Sequence, residues 1–422
     1  MCDTIGLPGG GGPIIGPTGA PLIASLLLPS ASTNQRSVAN AIDSFVGNGG
    51  TLPLAFVNLY NLSPADIGST LTQLSGESGS GVAPAGIQSM NSFLSLVTNP
   101  YARNRGFSPE NPLPPPALIY KAPVYKAPAA AVVDPRRWSI WAAAYGGESN
   151  TTGNVLAGSH DRSARAYGAA TGLDYLVTPY TVVGFALAGG STNYGLSDGL
   201  GGGHSDMFQA AVYSLTRVDA AYVSAALAYG WHDVSTDRFL TVSGIDHLTA
   251  NFSANNVGGR IEGGYRFAIP GVFYLPGFGF TPYAAFQMQA FRTPSYSESA
   301  ASGSSIFALN YNAHTTTTTR TELGAWVDRS LLLNDGAILA LRTRAAWAHD
   351  DWSDTRMTAA FQSLPGSNFT VVGATPVHDS LLVSAVAEIS FRNGISLAGK
   401  FDTEQAQRSQ TYVGTARLRY TW

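Results

Sequence analysis

The last thirteen residues, Gln410 to Trp422, alternate apolar and polar side chains up to the carboxyl end. Tyr412, Gly414, Ala416, Leu418, Tyr420 and Trp422 fall on one face, and Thr411, Val413, Thr415, Arg417, Arg419 and Thr421 on the other. A period of two is the signature of a strand, because successive side chains project to opposite faces. The same texture begins at Trp138 and recurs, with turn signals between segments, so that twelve strands are predicted. Leu381, Val383, Ala385, Ala387, Ile389 and Phe391 share a face opposite Ser380, Ser384, Glu388, Ser390 and Arg392. Val257, Gly259, Ile261, Gly263, Tyr265 and Phe267 stand opposite Arg260, Glu262 and Arg266. Asn393-Gly394, between two such runs, is a strong hairpin signal.

Strands with one greasy face, one charged face and aromatics at the chain end suit a transmembrane β-barrel, apolar toward lipid and polar toward a lumen. A water-soluble β-sandwich is the alternative, but it would not enclose charged side chains on strand after strand. The fold expected is therefore all-β, a 12-stranded antiparallel transmembrane barrel. Short turns such as Arg217-Val218-Asp219 alternate with longer connections at 146–161, 193–204, 233–254, 293–316 and 350–378, which are expected outside the cell. The expected lumen charge network is Arg260, Glu262, Arg266, Arg320, Glu322, Asp328, Glu388, Lys400, Asp402, Arg417 and Arg419. Two strands carry small residues on the lumen side: Ala164, Ala166, Gly168, Ala170 and Gly172 on one, Ala220, Ser224, Ala226, Ala228 and Gly230 on the other. Alanine is a poor strand former, so something other than strand propensity selects it. Small inward residues leave an open bore, which twelve strands can offer to one helix or extended segment.

Upstream of the strands the pattern changes. Residues 1–35 are rich in Gly, Pro and Ser without periodicity, and are expected to be disordered or the remnant of something larger. Residues 36–100 form a helical junction in short pieces. Val38, Ala41, Ile42 and Phe45 share a helical face, and Ser63-Pro64 reads as N-cap and first helical residue. A third helix, 84–99, places Ile87, Met90, Leu94 and Val97 on one stripe, with Asn91 beside it, and Asn99-Pro100 stops it. Residues 101–135 are a Pro-rich linker with Tyr-Lys-Ala-Pro written twice, a composition that favours extended geometry.

Composition sharpens the location. Only 12% of residues are charged, about half the roughly 25% usual in soluble domains. The net charge of −3 offers no electrostatic case for nucleic acid. Lysine occurs only at positions 121, 126 and 400, leaving Arg to carry most lumen pairing. No apolar run is long enough for a helical span. The stretch Leu22–Leu28 is short and lacks a basic flank, so it makes a poor signal peptide, and the expectation is that the natural N-terminus lies upstream. A single cysteine excludes an internal disulfide framework.

The whole of 136–422 resembles the C-terminal β-domain of monomeric autotransporters, the translocators of type V secretion in Gram-negative bacteria. The matching stretches are Arg137–Gly146, Gly172–Tyr175, Val183–Gly189, Phe208–Tyr213 and the ending Gly414–Trp422. Upstream, Leu71–Glu77 is similar to the junction many members carry between passenger and barrel. The resemblance implies an outer-membrane barrel whose linker threads the pore after the passenger has crossed, with 84–99 as candidate plug helix (Ile87, Met90, Asn91, Leu94 and Val97). It implies that Tyr412, Leu418, Tyr420 and Trp422 form the barrel-assembly signal. Outer-membrane lipid and lipopolysaccharide, the barrel-assembly machinery and periplasmic chaperones are the implied partners of a monomer, with no cofactor. Members usually run from plug to first strand by a short connection; here 101–136 intervenes, so another part of the linker is a rival occupant of the bore. A porin, or a surface adhesin with a truncated passenger, are the alternative functions.

Candidate chemistry is sparse. Six histidines lie near an Asp: His160-Asp161, His204-Ser205-Asp206, His232-Asp233, Asp246-His247, His349-Asp350 and His378-Asp379. Adjacent strand residues face opposite ways, so most of these pairs cannot chelate one ion, and no metal is expected. No Gly-x-Ser-x-Gly elbow, P-loop or His-Glu-x-x-His occurs. Some autotransporters cut their plug helix at an Asn assisted by an inward carboxylate. Asn91 and the acids Glu262, Glu322 and Asp328 are the counterparts here, but Met90-Asn91-Ser92 lacks the Asn-Asn dipeptide of those members, so the expectation is no enzyme.

Overall fold

The computed structural model describes residues 22–101, 136–269, 278–353 and 355–422. Twelve long strands close into one antiparallel barrel: β1 Trp138–Thr151, β2 Arg162–Leu176, β3 Thr181–Leu196, β4 Gly202–Val218, β5 Ala221–Leu240, β6 Asp246–Tyr265, β7 Phe278–Thr293, β8 His314–Leu332, β9 Ile338–Trp352, β10 Asp379–Ser390, β11 Ile395–Ala406 and β12 Ser409–Thr421. Each pairs with its sequence neighbours, and β1 pairs with β12 from Ser139↔Thr421 to Thr151↔Ser409. The backbone of Trp138 exchanges two hydrogen bonds with Trp422, so the final residue closes the seam. Closure leaves no strand edge, which is the condition for crossing lipid with strands.

The alternation places side chains as the pattern predicts. Ile140, Phe185, Leu227, Ile261, Phe286, Leu323, Leu397 and Leu418 are exposed on the outside. A contiguous apolar belt of this kind would be a liability in water and is a requirement in a bilayer. The inward positions of β12 include Arg417 and Arg419, whereas Tyr412, Leu418, Tyr420 and Trp422 face outward, with the last two rings stacked.

Several strands run further than the pattern indicates. The stretch 233–254, expected as a loop, is a tall hairpin in which β5 and β6 stay paired as far as Leu240↔Asp246. Above the membrane the outer face no longer needs to be apolar, so the alternation that reveals a strand fades while its ladder continues. The long connections likewise contain a second, four-stranded sheet built from 296–297, 309–311, 356–361 and 368–372.

The expectation of disorder over 1–35 is corrected for the described part. Ile23–Leu26 is a helical turn, and helix α1 runs Thr33–Gly47 with a capping box between Ser32 and Gln35. The Asp43 carboxylate accepts hydrogen bonds from the Ile23 and Ala24 amides at 2.8 and 2.9 Å, fixing the turn to the helix. The stripe Val38, Ala41, Ile42 and Phe45 marked the body of this helix, whereas the Gly- and Pro-rich composition before it concealed the cap at Ser32 and the turn at 23–26. Residues 1–21 fall outside the described residues, as do 102–135 of the expected linker. Helix α2, Pro64–Leu74, starts at Ser63, whose side chain accepts from the Asp66 amide.

With a short helix at 54–57, these elements form a cap on the loop end of the barrel. Ile23, Val38, Ile42, Phe56, Leu59, Ile67, Leu71 and Leu74 share one buried cluster with Leu240, Leu248, Phe307, Leu309, Phe361, Phe369 and Val371 of the loops. Asn34 donates to Val372 O and accepts from its amide, at 2.9 Å each. The cap therefore completes its core only with the loops.

Candidate functional site

The site is the bore and its contents. Helix α3 spans Val82–Val97, two residues earlier at each end than 84–99, with Pro84 in the first turn where no amide donor is needed. It runs down the inside of the barrel. Near its start, Val82, Ala85 and Ile87 pack on Ala164, Val234, Ala254 and Phe291; further along, Met90, Phe93, Leu94 and Val97 meet Trp141, Ala170, Ala186, Ala188, Ala211, Ala226 and Ala228. The small lumen residues are thus the wall against which the helix lies. A Cβ on Gly258 would stand 3.2 Å from Leu94 and Met90, and one on Gly86 would collide with the Phe291 ring. These positions let a facing side chain lie directly against the backbone.

The helix is held by side chains as well as by packing. Asn91 Oδ1 accepts from Gln287 Nε2 at 2.5 Å and also from Gln289 Nε2. Asn256 Nδ2 donates to Gly86 O at 3.3 Å, and Lys400 Nζ to Ser95 Oγ at 3.1 Å. Ile87, Met90, Leu94 and Val97 are buried, and Asn91 belongs to the polar stripe. That stripe, with Pro84, Gln88, Ser92, Ser95 and Asn99, faces a cavity of about 160 Å³. The plug is therefore off-centre, packed on the small-residue wall, with a polar space toward the charged one that Lys400 crosses to reach Ser95.

The charged wall is a set of compensated pairs. Arg260 bridges Glu262 and Glu322, each at 2.7 Å, while Tyr222 and Tyr283 donate to those two carboxylates. Arg266 pairs with Asp328 at 2.7 Å, Arg342 with Glu388 at 2.7 Å, and Lys400 with Asp402 at 3.0 Å. Arg320 holds Asp350 at 2.6 Å and Glu404 at 2.7 Å. Arg419 lies 3.7 Å from Asp174, and Arg417 lines the cavity. Sequence reasoning missed Asp174, Arg342, Arg344, Asp350 and Glu404 as members. Strand parity alone would have placed Arg342 and Arg344 together, two apart on β9. Enclosed charges are stabilised by pairing and hydrogen bonding, as Arg260, Arg266, Arg320, Arg342 and Lys400 are here.

The histidines find partners other than their sequence neighbours. His247 meets Asp237 at 2.7 Å and His349 meets Asp379 at 2.9 Å, across strand pairs; His204 keeps its own Asp206, at 3.3 Å. Among the described residues no three His, Cys, Asp or Glu side chains are grouped to hold a metal.

At the neck between cap and bore, buried Glu77 accepts from the His160 amide at 2.8 Å and contacts its Nδ1 at 2.7 Å. The hydrogen bond to Glu77 raises the imidazole above its ordinary 6.5, against the opposing effect of burial. The pair therefore contributes fully below the ordinary value and fades as pH rises through the raised one. Limited proteolysis of the neck is expected to accelerate between about pH 6 and pH 9, with His160→Ala fast at both; equal rates in the native chain would contradict this.

The match to known proteins agrees with this geometry. The family model "Autotransporter beta-domain" matches residues 140–402. The β-domain of the Bordetella autotransporter BrkA is similar in fold at 18% identity, covering 68% of this chain and 100% of that one with a TM-score of 0.52. The translocator domain of NalP from Neisseria meningitidis is similar at 15% identity, covering 67% of this chain and 88% of that one, with a TM-score of 0.51. No curated protein is a significant match. Twelve closed strands, a helix in the bore and the family match together place this chain in the autotransporter family.

Proposed function

We propose that residues 22–81 are carried outward by the barrel and retained as a folded cap over its outer mouth. The barrel is an outer-membrane translocator that exports the segment preceding it. One observation carries the finer reading: α3 runs through the bore from the loop end, where it is continuous with the cap, to the end where β1 starts. A chain threaded in that direction has its N-terminal part outside and its linker inside.

The periplasm holds no ATP, so outward bias must come from folding. The cap supplies it, because Phe56, Leu71 and their neighbours reach full burial only on the loops, and each large apolar side chain so buried contributes about 1.5–3 kcal/mol before ordering costs. In intact cells, with Cys2 replaced by Ala, a thiol at Leu54→Cys, an exposed cap position, is expected to react with an impermeant maleimide. In planar bilayers the whole chain is expected to conduct weakly and a chain lacking residues 22–101 strongly. Strong conductance by the whole chain would instead favour a porin.

The linker stays uncut in this reading. The Asn91 amide oxygen accepts from two glutamines, which fix the side chain, and Glu262 and Glu322 are both engaged by Arg260. N-terminal sequencing of the folded barrel is expected to return a single uncut chain.

We propose the partners with the same reading. The apolar belt meets lipid, with lipopolysaccharide at its outer rim, around a monomer. Periplasmic chaperones shield the strands before insertion, and the assembly machinery reads Tyr412, Leu418, Tyr420 and Trp422. Deleting Trp422 is expected to slow the appearance of heat-modifiable barrel in cells far more than it slows refolding of the pure protein into lipid. Equal slowing in both would reduce these residues to lipid contacts and seam closure.

A further inference from the structure

The cap fixes the outer end of the plug, and its inner end needs a cause of its own. Between Tyr101 and Arg136 lie 34 residues, which fully extended could span about 110 Å. The helix itself is only about 24 Å long. A connection of that contour length sets no upper limit on where the inner end of α3 lies.

The end of the plug is instead fixed side chain by side chain. Tyr101, 3% exposed, follows the helix stop and enters a pocket on the inner wall. Its ring packs edge-on against Trp326 at 5.3 Å between centroids, under the Arg342 guanidinium at 4.9 Å. Its hydroxyl donates to Thr281 Oγ1 at 2.9 Å. Next to it, Arg217 donates to Pro100 O. Thr281 on β7 and Trp326 on β8 are directly paired, so the pocket is part of the rigid ladder. Arg342, held by Glu388, is positioned from the other side.

We infer that Tyr101 is the latch that sets the register of the plug, halting the chain with α3 in the bore and holding its inner end there. This rests on the translocator reading proposed above. A cap at the outer mouth prevents retreat into the bore, and Tyr101 fixes the opposite end, so the helix is gripped from both sides. The ring suits the task because it combines a large apolar area, a cation contact and one directional hydrogen bond. A slip by one helical turn would lose all three together.

The test is single-channel recording of the full chain in planar bilayers, with heat-modifiability confirming a folded barrel. Tyr101→Ala is expected to raise the occupancy of a large-conductance state at least about tenfold, the consequence of deleting a buried ring. Tyr101→Phe, which keeps the ring, is expected to stay within about threefold of the native chain, the scale of one lost hydrogen bond. Trp326→Leu, which opens the pocket from the barrel side, is expected to behave as Tyr101→Ala does. Native closure in both Tyr101→Ala and Trp326→Leu would overturn the latch, as would equal opening in Tyr101→Phe and Tyr101→Ala. The Leu54→Cys labelling in cells reports separately on export: a labelled cap with no effect of Tyr101→Ala sinks the latch alone, whereas an unlabelled native cap sinks the translocation reading itself.

Discussion

Replacing Arg260 by Ala is expected to cost the barrel about 3–5 kcal/mol, the range for breaking a buried ion pair from one side. The side chain is 5% exposed and sits between Glu262 and Glu322, themselves 4% and 3% exposed. Without the guanidinium, two carboxylates remain near one another in the bore, each having lost its main counter-charge. Arg344, 3.7 Å from Glu322, and the two tyrosine hydroxyls compensate only in part. The loss is read as an earlier midpoint in urea unfolding from lipid vesicles. Adding Glu262→Gln and Glu322→Gln to Arg260→Met is expected to restore most of it, because neutral groups leave no charge stranded. A single Arg260→Ala variant unfolding like the native chain would show that water in the neighbouring cavity screens the cluster.

Replacing Arg238 by Ala is expected to release the cap while leaving the barrel closed. Arg238 stands on the part of β5 that rises beyond the predicted strand, and its side chain is 2% exposed. Nε donates to Glu298 Oε1 at 2.9 Å, Nη1 to Gln73 O at 3.1 Å and Nη2 to Phe307 O at 2.9 Å. One fork thus joins the β5–β6 hairpin, the loop before β8 and the end of α2. Glu298 in turn accepts from the Leu309 amide and the Tyr311 hydroxyl. Truncation strands that carboxylate and two carbonyls inside the cap interface, again a cost of about 3–5 kcal/mol. Residues 22–81 are expected to become protease-sensitive at the cell surface, with heat-modifiability of the barrel unchanged. Arg238→Lys is expected to rescue little, since an ammonium cannot reproduce the planar fork. A cap as resistant in Arg238→Ala as in the native chain would remove Arg238 from its docking.

Both predictions concern residues whose importance the linear chain conveys unequally. Arg260, Glu262 and Arg266 were legible as lumen residues because strand parity is a local property: two residues apart means the same face, whatever the rest of the fold does. The outward position of Tyr412, Leu418, Tyr420 and Trp422 and the helix containing Ile87, Met90, Leu94 and Val97 were legible for the same reason, from periods of two and near 3.6. Arg238 conveyed nothing, because its stretch of β5 lies where lipid no longer imposes alternation. Tyr101 was equally silent: its pocket comes from β7, β8 and β9, far along the chain.

By itself, then, the chain determined the strands, their two faces, the closing aromatic and the amphipathic plug, since each depends on neighbours within a few residues. Only the tertiary structure decided which wall the plug adheres to, which carboxylate each arginine holds, and that the helical pieces before the plug assemble into a cap. Those outcomes depend on closing the barrel, which brings Glu77 to His160, Asn34 to Val372 and Arg238 to Glu298. Contacts over such separations are set by register and shear around the whole cylinder, and no local period encodes them.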